Sequence, residues 1–260
     1  SVQAPQASTK VGRATLYLLG RALALHALTM GAGISIPIED EHLDHSPPTP
    51  IDVRGQLRWA FSTRSWHPRA LEWRFLMSLL PAAERSSVDK QHRLVDRQRA
   101  LVSRLMQRRC VALCLGVPDE AVVVARTKGD KPFDATPAGG DARAATSRPN
   151  FNFNVSHEGH YVVLASEPVL LVGIDVSAPF EIRDAGNITN NYESLRDTFG
   201  NVLGEDEWCL VEDEGLSDFA RATAFRRQWS RKESLVKARG DGLAFPLAQA
   251  RFRPCHPPKP

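Results

Sequence analysis

Apolar residues recur along this chain with two different periods. Gln56-Leu57-Arg58-Trp59-Ala60-Phe61 alternates, which predicts a first strand where the globular part begins. Pro68 to Leu80 reads as a short helix stopped by Pro81. One long helix is predicted to follow, from Ala82 or Ser87 to Leu115. Leu94, Leu101, Leu105, Val111 and Leu115 give it an apolar stripe, and Gly116 and Pro118 end it. Val122-Val123-Val124 is a short strand. Three apolar runs come next: Phe151 to Val155 with period two, Tyr161 to Ala165 without interruption, and Leu170 to Val176, read as strand-like and ending Gly173-Ile174-Asp175-Val176. Tyr192 to Val211 contains at least one helix. Ala220 to Ala238 holds no Pro or Gly, and Gly240 stands where a helix stops. Strands and helices mix with no repeated βαβ unit, so the predicted class is α+β.

These elements divide the chain into three parts. Residues 1–55 form an N-terminal extension or linker, 56–150 a first α+β half, and 151–260 a second. Residues 39–55 are acidic and then proline-rich (Pro47, Pro48, Pro50), as linkers are. Residues 1–38 carry Lys10, Arg13 and Arg21 and no acid. They read either as an organelle presequence or as upstream sequence outside the fold. Thr15 to Ile36 is apolar but interrupted by Arg21 and His26, which makes it a poor membrane span. Asp134 to Pro149 is a Gly/Ala/Pro-rich insertion.

Composition narrows the classes. Of 260 residues, 42% are hydrophobic and 24% charged, enough for an ordinary core. A net charge of +3 argues against a protein that coats nucleic acid, and no aromatic stacking pattern occurs. The cysteines (Cys110, Cys114, Cys209, Cys255) form no CxxC and read as reduced. Cys255-His256 lacks the further ligands a zinc site needs. Arg93, Arg97, Arg99, Arg104, Arg108 and Arg109 form a basic helix face, mostly solvated on this reading.

Candidate chemistry lies in four places. Trp229, Glu233 and Lys237 share one helix face. Alone, such an acid–base pair is a surface ion pair worth about 0.3–0.5 kcal/mol; a functional role needs a second acid and an anion site. Asp175 closes an apolar run and either caps the next turn or faces a ligand. Arg126 and Lys131 flank a cationic Gly-containing loop. Asn154, Ser156 and His157 offer donors at a strand end, although a turn histidine more often serves structure. Should Asp175 and Glu233 meet, two oxygen ligands can hold one Mg²⁺, with phosphates and waters completing its shell. Several anion-binding elements, two carboxylates and no GxGxxG suit a ligand with a diphosphate and a further phosphate. Coenzyme A has that profile.

In chain order, RWAF (Arg58 to Phe61), RTxxxKP (Arg126 to Pro132), FNFNVSHEGHYVVLASEP (Phe151 to Pro168), VGIDV (Val172 to Val176) and WSRKESLVKARGDGL (Trp229 to Leu243) resemble 4′-phosphopantetheinyl transferases. The type resembled is the large, surfactin-synthetase-activating one, and within it the eukaryotic aminoadipate-semialdehyde dehydrogenase-phosphopantetheinyl transferase subgroup. The resemblance implies two similar α+β halves related by pseudo-twofold symmetry, with coenzyme A in the cleft between them. It implies transfer of phosphopantetheine from coenzyme A to a serine of an acyl or peptidyl carrier protein, releasing 3′,5′-ADP. Asp175 and Glu233 would then hold Mg²⁺, Glu233 would serve as general base, and Lys237 would steady the diphosphate. Arg126, Lys131, Asn154, Ser156 and His157 would hold the adenine nucleotide and its 3′-phosphate, with Arg85 a further phosphate-binding candidate. The expected setting is a monomer in the cytoplasm, or in a mitochondrion or plastid if residues 1–38 are a presequence. The carrier classes open to it are those of fatty-acid, polyketide, nonribosomal-peptide and lysine pathways.

Two departures from the pattern stand out. Ser177 occupies a position where many relatives carry an acid, but the eukaryotic subgroup resembled here also lacks it, so it does not count against activity. Only Gly242 to Pro260 follows the last helix, so the second half is expected to be incomplete. The competing expectation is therefore a non-catalytic protein that binds coenzyme A or a carrier.

Overall fold

The computed structural model describes residues 56–137, 150–178, 192–213, 215–240 and 242–252. The three-part division of the chain runs partly outside them, as do residues 1–55 and most of the Asp134–Pro149 insertion.

The first strand, β1, spans Leu57–Ser62. Helices α1 (Ala70–Ser78), α2 (Ala82–Asp89) and α3 (Leu94–Leu115) follow. A small antiparallel pair, β2 (Val124–Arg126) and β3 (Pro132–Asp134), frames the cationic loop. The hairpin β4 (Asn152–Glu158) and β5 (Tyr161–Glu167) comes next. Both β1 and β4 pair antiparallel with β5, giving the order β1-β5-β4. This sheet joins strands from either side of residue 150. Its central strand buries Val162 and Leu164 completely, against Leu101, Cys110 and Val111 of α3.

The single long helix expected from Ala82 or Ser87 to Leu115 is instead two helices. The chain turns extended at Arg93 (φ −89°, ψ 144°). Arg97 from α3 reaches back, its Nε donating to the Gln91 carbonyl at 2.7 Å. That bond satisfies a carbonyl the broken helix leaves open. Gly116 ends α3 in the left-handed conformation (φ 69°), as the sequence predicts.

The strand expected at Leu170 to Val176 is also corrected. Residues 171–178 join no sheet. They lie along β4 but are held by its side chains rather than its main chain. Asn152 Oδ1 accepts from Val172 N at 3.0 Å, Asn154 Oδ1 from Ile174 N at 3.1 Å, and Glu158 Oε2 from Ala178 N at 2.7 Å. These residues share one face of β4 because strand side chains alternate. The opposite face carries Phe153, buried in the core with α3. The polar/apolar alternation of β4 therefore serves two neighbours at once.

The remaining helices are α4 (Tyr192–Phe199), α5 (Glu205–Val211) and α6 (Asp218–Arg239). Among the described residues no strand follows Glu167, so this half is helical there. Trp208 stacks on Phe225 with ring centres 5.6 Å apart, and Phe199 meets Trp229 edge-on at 5.1 Å. Beside this aromatic cluster Lys232 and Glu207 form an ion pair at 2.7 Å with both side chains sealed from solvent. Lys232 Nζ also donates to the carbonyls of Leu247 (3.0 Å) and Ala250 (2.5 Å). Glu207 accepts from Gly204 N and Phe252 N. Each charge is paired and hydrogen-bonded, the condition under which buried ions persist. The pair thus ties α5, α6 and the segment up to Phe252 together.

Removing one partner strands the other. Lys232→Met is expected to cost about 3–5 kcal/mol of stability, read as a drop in denaturant midpoint. Arg251→Ala, which breaks the exposed Arg251–Asp206 contact at 3.4 Å, is expected to change stability by less than about 1 kcal/mol.

Candidate active site

The site is built where the 171–178 segment crosses α6. Gly173 lies against the helix backbone: a Cβ there would stand 1.9 Å from the Ser234 carbonyl oxygen and 2.6 Å from Ala238 N. Only glycine permits that approach. It brings Asp175 to the face of α6 that carries Glu233 and Lys237.

Asp175 Oδ1 accepts two hydrogen bonds, from Ser156 Oγ at 2.9 Å and from the Lys237 ammonium. Lys237 Nζ also lies 2.9 Å from Ser156 Oγ. Three chain segments far apart in sequence thus converge on one carboxylate oxygen. Glu233 stands beside them. Burial, and then the Asp175 charge, hold its carboxyl above the usual range, with Lys237 opposing. Its Oε1 is buried and has no hydrogen-bond partner among the described residues. An orphaned carboxylate oxygen next to a second carboxylate is a fit for a hard cation. Among the described residues no group of three or more His, Cys, Asp and Glu side chains that could hold a metal ion occurs.

The site opens into a polar cleft of about 590 Å³ between α2, α3, β2, β4 and α6. Arg99, Arg104, Arg126, His157 and Lys237 line it, with Asp96 and Asp130 on its walls. Burial and then Arg99 push the His157 imidazole below its ordinary pKa, with smaller help from Lys237 and Arg104. The protonated form is disfavoured because burial strips it of solvent and, secondarily, because cations stand near it. A second hollow, of about 370 Å³, is apolar and lies on the other side of α3, lined by Trp59, Phe61, Val102 and Met106.

Of the residues singled out in sequence, Asp175, Ser156, Glu233 and Lys237 come together, and Arg126 and His157 face the same cleft. Three others have different partners. Lys131 Nζ donates to the carbonyls of Lys237 (2.7 Å) and Ala238 (3.3 Å), capping the C-terminus of α6. Asn154 positions Ile174, as described above. Arg85 donates to the Leu80 carbonyl at 2.8 Å and is not among the residues lining the cleft. The solvated basic face expected of α3 is corrected too. Arg108 is buried, bonded to Glu84 at 3.4 Å and to the Asp119 carbonyl at 2.8 Å. Arg99 pairs with Asp96, and Arg109 with Asp119 at 3.0 Å. Sequence reading missed Ser103, Arg104 and Gln107 as cleft residues; their spacing along one helix face was the available signal.

With that geometry in view, comparison with known proteins is decisive. Residues 64–169 match the family model of the N-terminal part of 4′-phosphopantetheinyl transferase, and residues 171–260 match that of the 4′-phosphopantetheinyl transferase superfamily. The chain belongs to this family. It is 34% identical over 200 residues to the L-aminoadipate-semialdehyde dehydrogenase-phosphopantetheinyl transferase of Xenopus laevis, covering 77% of this chain and 62% of that protein. The human protein of the same name is 33% identical over 196 residues, covering 75% of this chain and 60% of that protein. A phosphopantetheinyl transferase of Thraustochytrium is 31% identical over 209 residues, covering 79% and 66%. The chain therefore spans about 60–66% of the length of these relatives. The join between the two family models, at residues 169–171, falls where the chain leaves β5 for the segment that carries Asp175.

Two substitutions here should move stability in opposite directions. Glu233→Gln removes a carboxylate whose pKa is raised in the fold. In the metal-free protein it should raise the melting temperature at neutral pH, and the gain should fade as pH falls toward the ordinary carboxyl value of 4.5. The sign follows because the penalty exists only where the acid is ionised. Gly173→Ala should lower stability by roughly 1–3 kcal/mol through steric clash with α6. Thermal melts of both variants across pH check the pair.

Proposed function

We propose that the chain transfers the 4′-phosphopantetheine group of coenzyme A to a serine hydroxyl of an acyl or peptidyl carrier protein. The observation that carries this reading is the meeting of Asp175, Glu233 and Lys237 at the mouth of a cationic cleft, in a chain of this family. Mg²⁺ would be held by Asp175 and Glu233, and when bound it would offset charge on the coenzyme diphosphate.

The residues of the chain supply the rest. A serine hydroxyl is a weak nucleophile until a base takes its proton. Glu233, with its raised pKa and unpartnered Oε1, is suited to accept that proton directly or through a water. The carrier oxygen then bonds to the phosphorus next to pantetheine as the diphosphate P–O bond breaks, and 3′,5′-ADP leaves with the bridging oxygen. Lys237 stands one helical turn from Glu233 and presents its ammonium to the diphosphate. Ser156 and Asp175 hold that ammonium in place. Fixed cations at the point of charge development are the main source of rate in such transfers. Arg126 and His157 line the nucleotide end of the cleft.

The relatives named for aminoadipate-semialdehyde dehydrogenase make the carrier domain of such a dehydrogenase the first acceptor to assay. Incubated with coenzyme A and Mg²⁺, the chain should shift that carrier by one phosphopantetheine in a mass spectrum. Glu233→Gln and Asp175→Ala should each lower the rate by at least about 100-fold. Normal loading by Glu233→Gln would sink the assigned mechanism. Coenzyme A binding without any loading would identify a non-catalytic binding protein instead.

A further inference from the structure

The apolar hollow on the far side of α3 takes no part in the chemistry proposed for the cleft. Its volume is about 370 Å³, at the lower end of the roughly 300–1,000 Å³ of small-ligand sites. Its walls come from β1, the loop after it, α1 and α3. Phe61, Trp66, Leu76, Val102, Leu105 and Met106 line it, and all six are buried core residues. Protein cores hold few voids larger than a water molecule. A hollow of this size deprives its walls of dispersion contacts that an apolar guest would restore.

The polar side-chain groups on the wall are of one kind. Arg58 and Arg109 contribute guanidiniums, and Trp59 and Trp66 indole N–H groups. All are donors, and the Met106 thioether is at most a weak acceptor. No acid is among the residues that line the hollow. Some of these donors are already engaged. Trp66 Nε1 donates to Glu72 at 3.2 Å. Arg58 donates through Nη1 to the carbonyls of Leu57 (2.9 Å) and Ser166 (2.7 Å), and through Nη2 to Glu167 (2.5 Å). Arg109 is less committed. It meets Asp119 through Nη1 at 3.0 Å, and its side chain is only 18% exposed. A guanidinium has five N–H groups, so the remaining edge of Arg109 is free to hold an anion. Apolar walls with donors alone among their polar groups fit an apolar body that ends in an acceptor-only group. An ionised carboxylate is such a group, and a guanidinium holds it by charge-assisted hydrogen bonds.

We propose that this hollow binds a medium-chain aliphatic monocarboxylate, its chain against Trp66, Leu76, Val102 and Leu105 and its carboxylate at Arg109. The modest volume sets the chain length. Helix α3 separates this guest from the cleft: Val102, Leu105, Met106 and Arg109 line the hollow, whereas Arg99, Ser103, Arg104 and Gln107 line the cleft. The proposal is therefore independent of what the cleft holds.

Calorimetry on the full chain with decanoate, decanol and decyltrimethylammonium, each below its micelle concentration, tests it. Tryptophan fluorescence is a second readout, because Trp59 and Trp66 line the hollow. Decanoate should bind one-to-one and change the fluorescence saturably. Decanol should bind about tenfold more weakly, and the ammonium more weakly still. Arg109→Gln should bring decanoate down to the affinity of decanol and leave decanol unchanged. Val102→Phe, which fills the hollow, should weaken decanoate and decanol together; Leu105→Phe is the second filling variant should Val102→Phe not fold. Absence of one-to-one binding, or equal binding of the three compounds, would overturn the proposal. Full decanoate affinity in Arg109→Gln would overturn the role given to Arg109, and full affinity in the filling variants would overturn the place given to the chain. Binding seen only with dimer formation in light scattering would give the hollow to a second copy and overturn the proposal as well.

Discussion

The site depends on one backbone crossing. Residues 171–178 lie between β4 and α6, close enough to the helix that Gly173 has no room for a side chain. On the other side, Asn152, Asn154 and Glu158 take up alternate amides of the same segment. The segment is thus clamped by sterics from one neighbour and by hydrogen bonds from the other. Asp175 is delivered between them, where its Oδ1, the Ser156 hydroxyl and the Lys237 ammonium all stand within hydrogen-bond distance of one another. A side-chain ladder holds backbone amides as a main-chain ladder would, yet it leaves room for polar groups of the segment to face outward. This explains how a stretch that reads as a buried strand can present the Asp175 carboxylate to Ser156 and Lys237.

Two adjacent residues of α6 show how the helix divides stability from chemistry. Lys232 points into the second half, where Glu207 and two carbonyls satisfy it completely. Glu233, one position on, turns about 100° around the helix and meets another acid with its Oε1 unpaired. The first arrangement holds the helix in place. The second keeps a charge in an unfavourable setting, as functional acids commonly are. The satisfied pair anchors the same helix turn that presents the unsatisfied acid.

Helix α3 works in a similar two-sided way. Its apolar face packs on β5 and closes the core of the first half. Its polar face forms a wall of the cationic cleft through Arg99, Ser103, Arg104 and Gln107. Most arginines on the helix are tied to acids, so the charge of the cleft is set by which cations and acids line it rather than by the number of arginines on the helix. A chain with a formal charge of only +3 can in this way gather more cations than acids around one cleft.

Local patterns determined a good deal by themselves. Period-two runs marked β1 and β4, an unbroken apolar run marked β5, and glycines marked the ends of α3 and α6. The spacing of Glu233 and Lys237 placed them on one face, and the ordered motifs named the family. These are properties of near neighbours in the chain, which dihedral preferences and side-chain periodicity govern. Tertiary structure decided the rest. It made residues 171–178 a clamped segment instead of a strand, because side chains of β4 took the amides that a partner strand would have bonded. It gave Lys131 partners in the last carbonyls of α6 and Asn154 a partner in the Asp175 segment, and it placed Arg104 in a cleft instead of in water. Whether a polar side chain meets solvent, a carbonyl or another charge depends on segments a hundred residues away, and no local pattern records that.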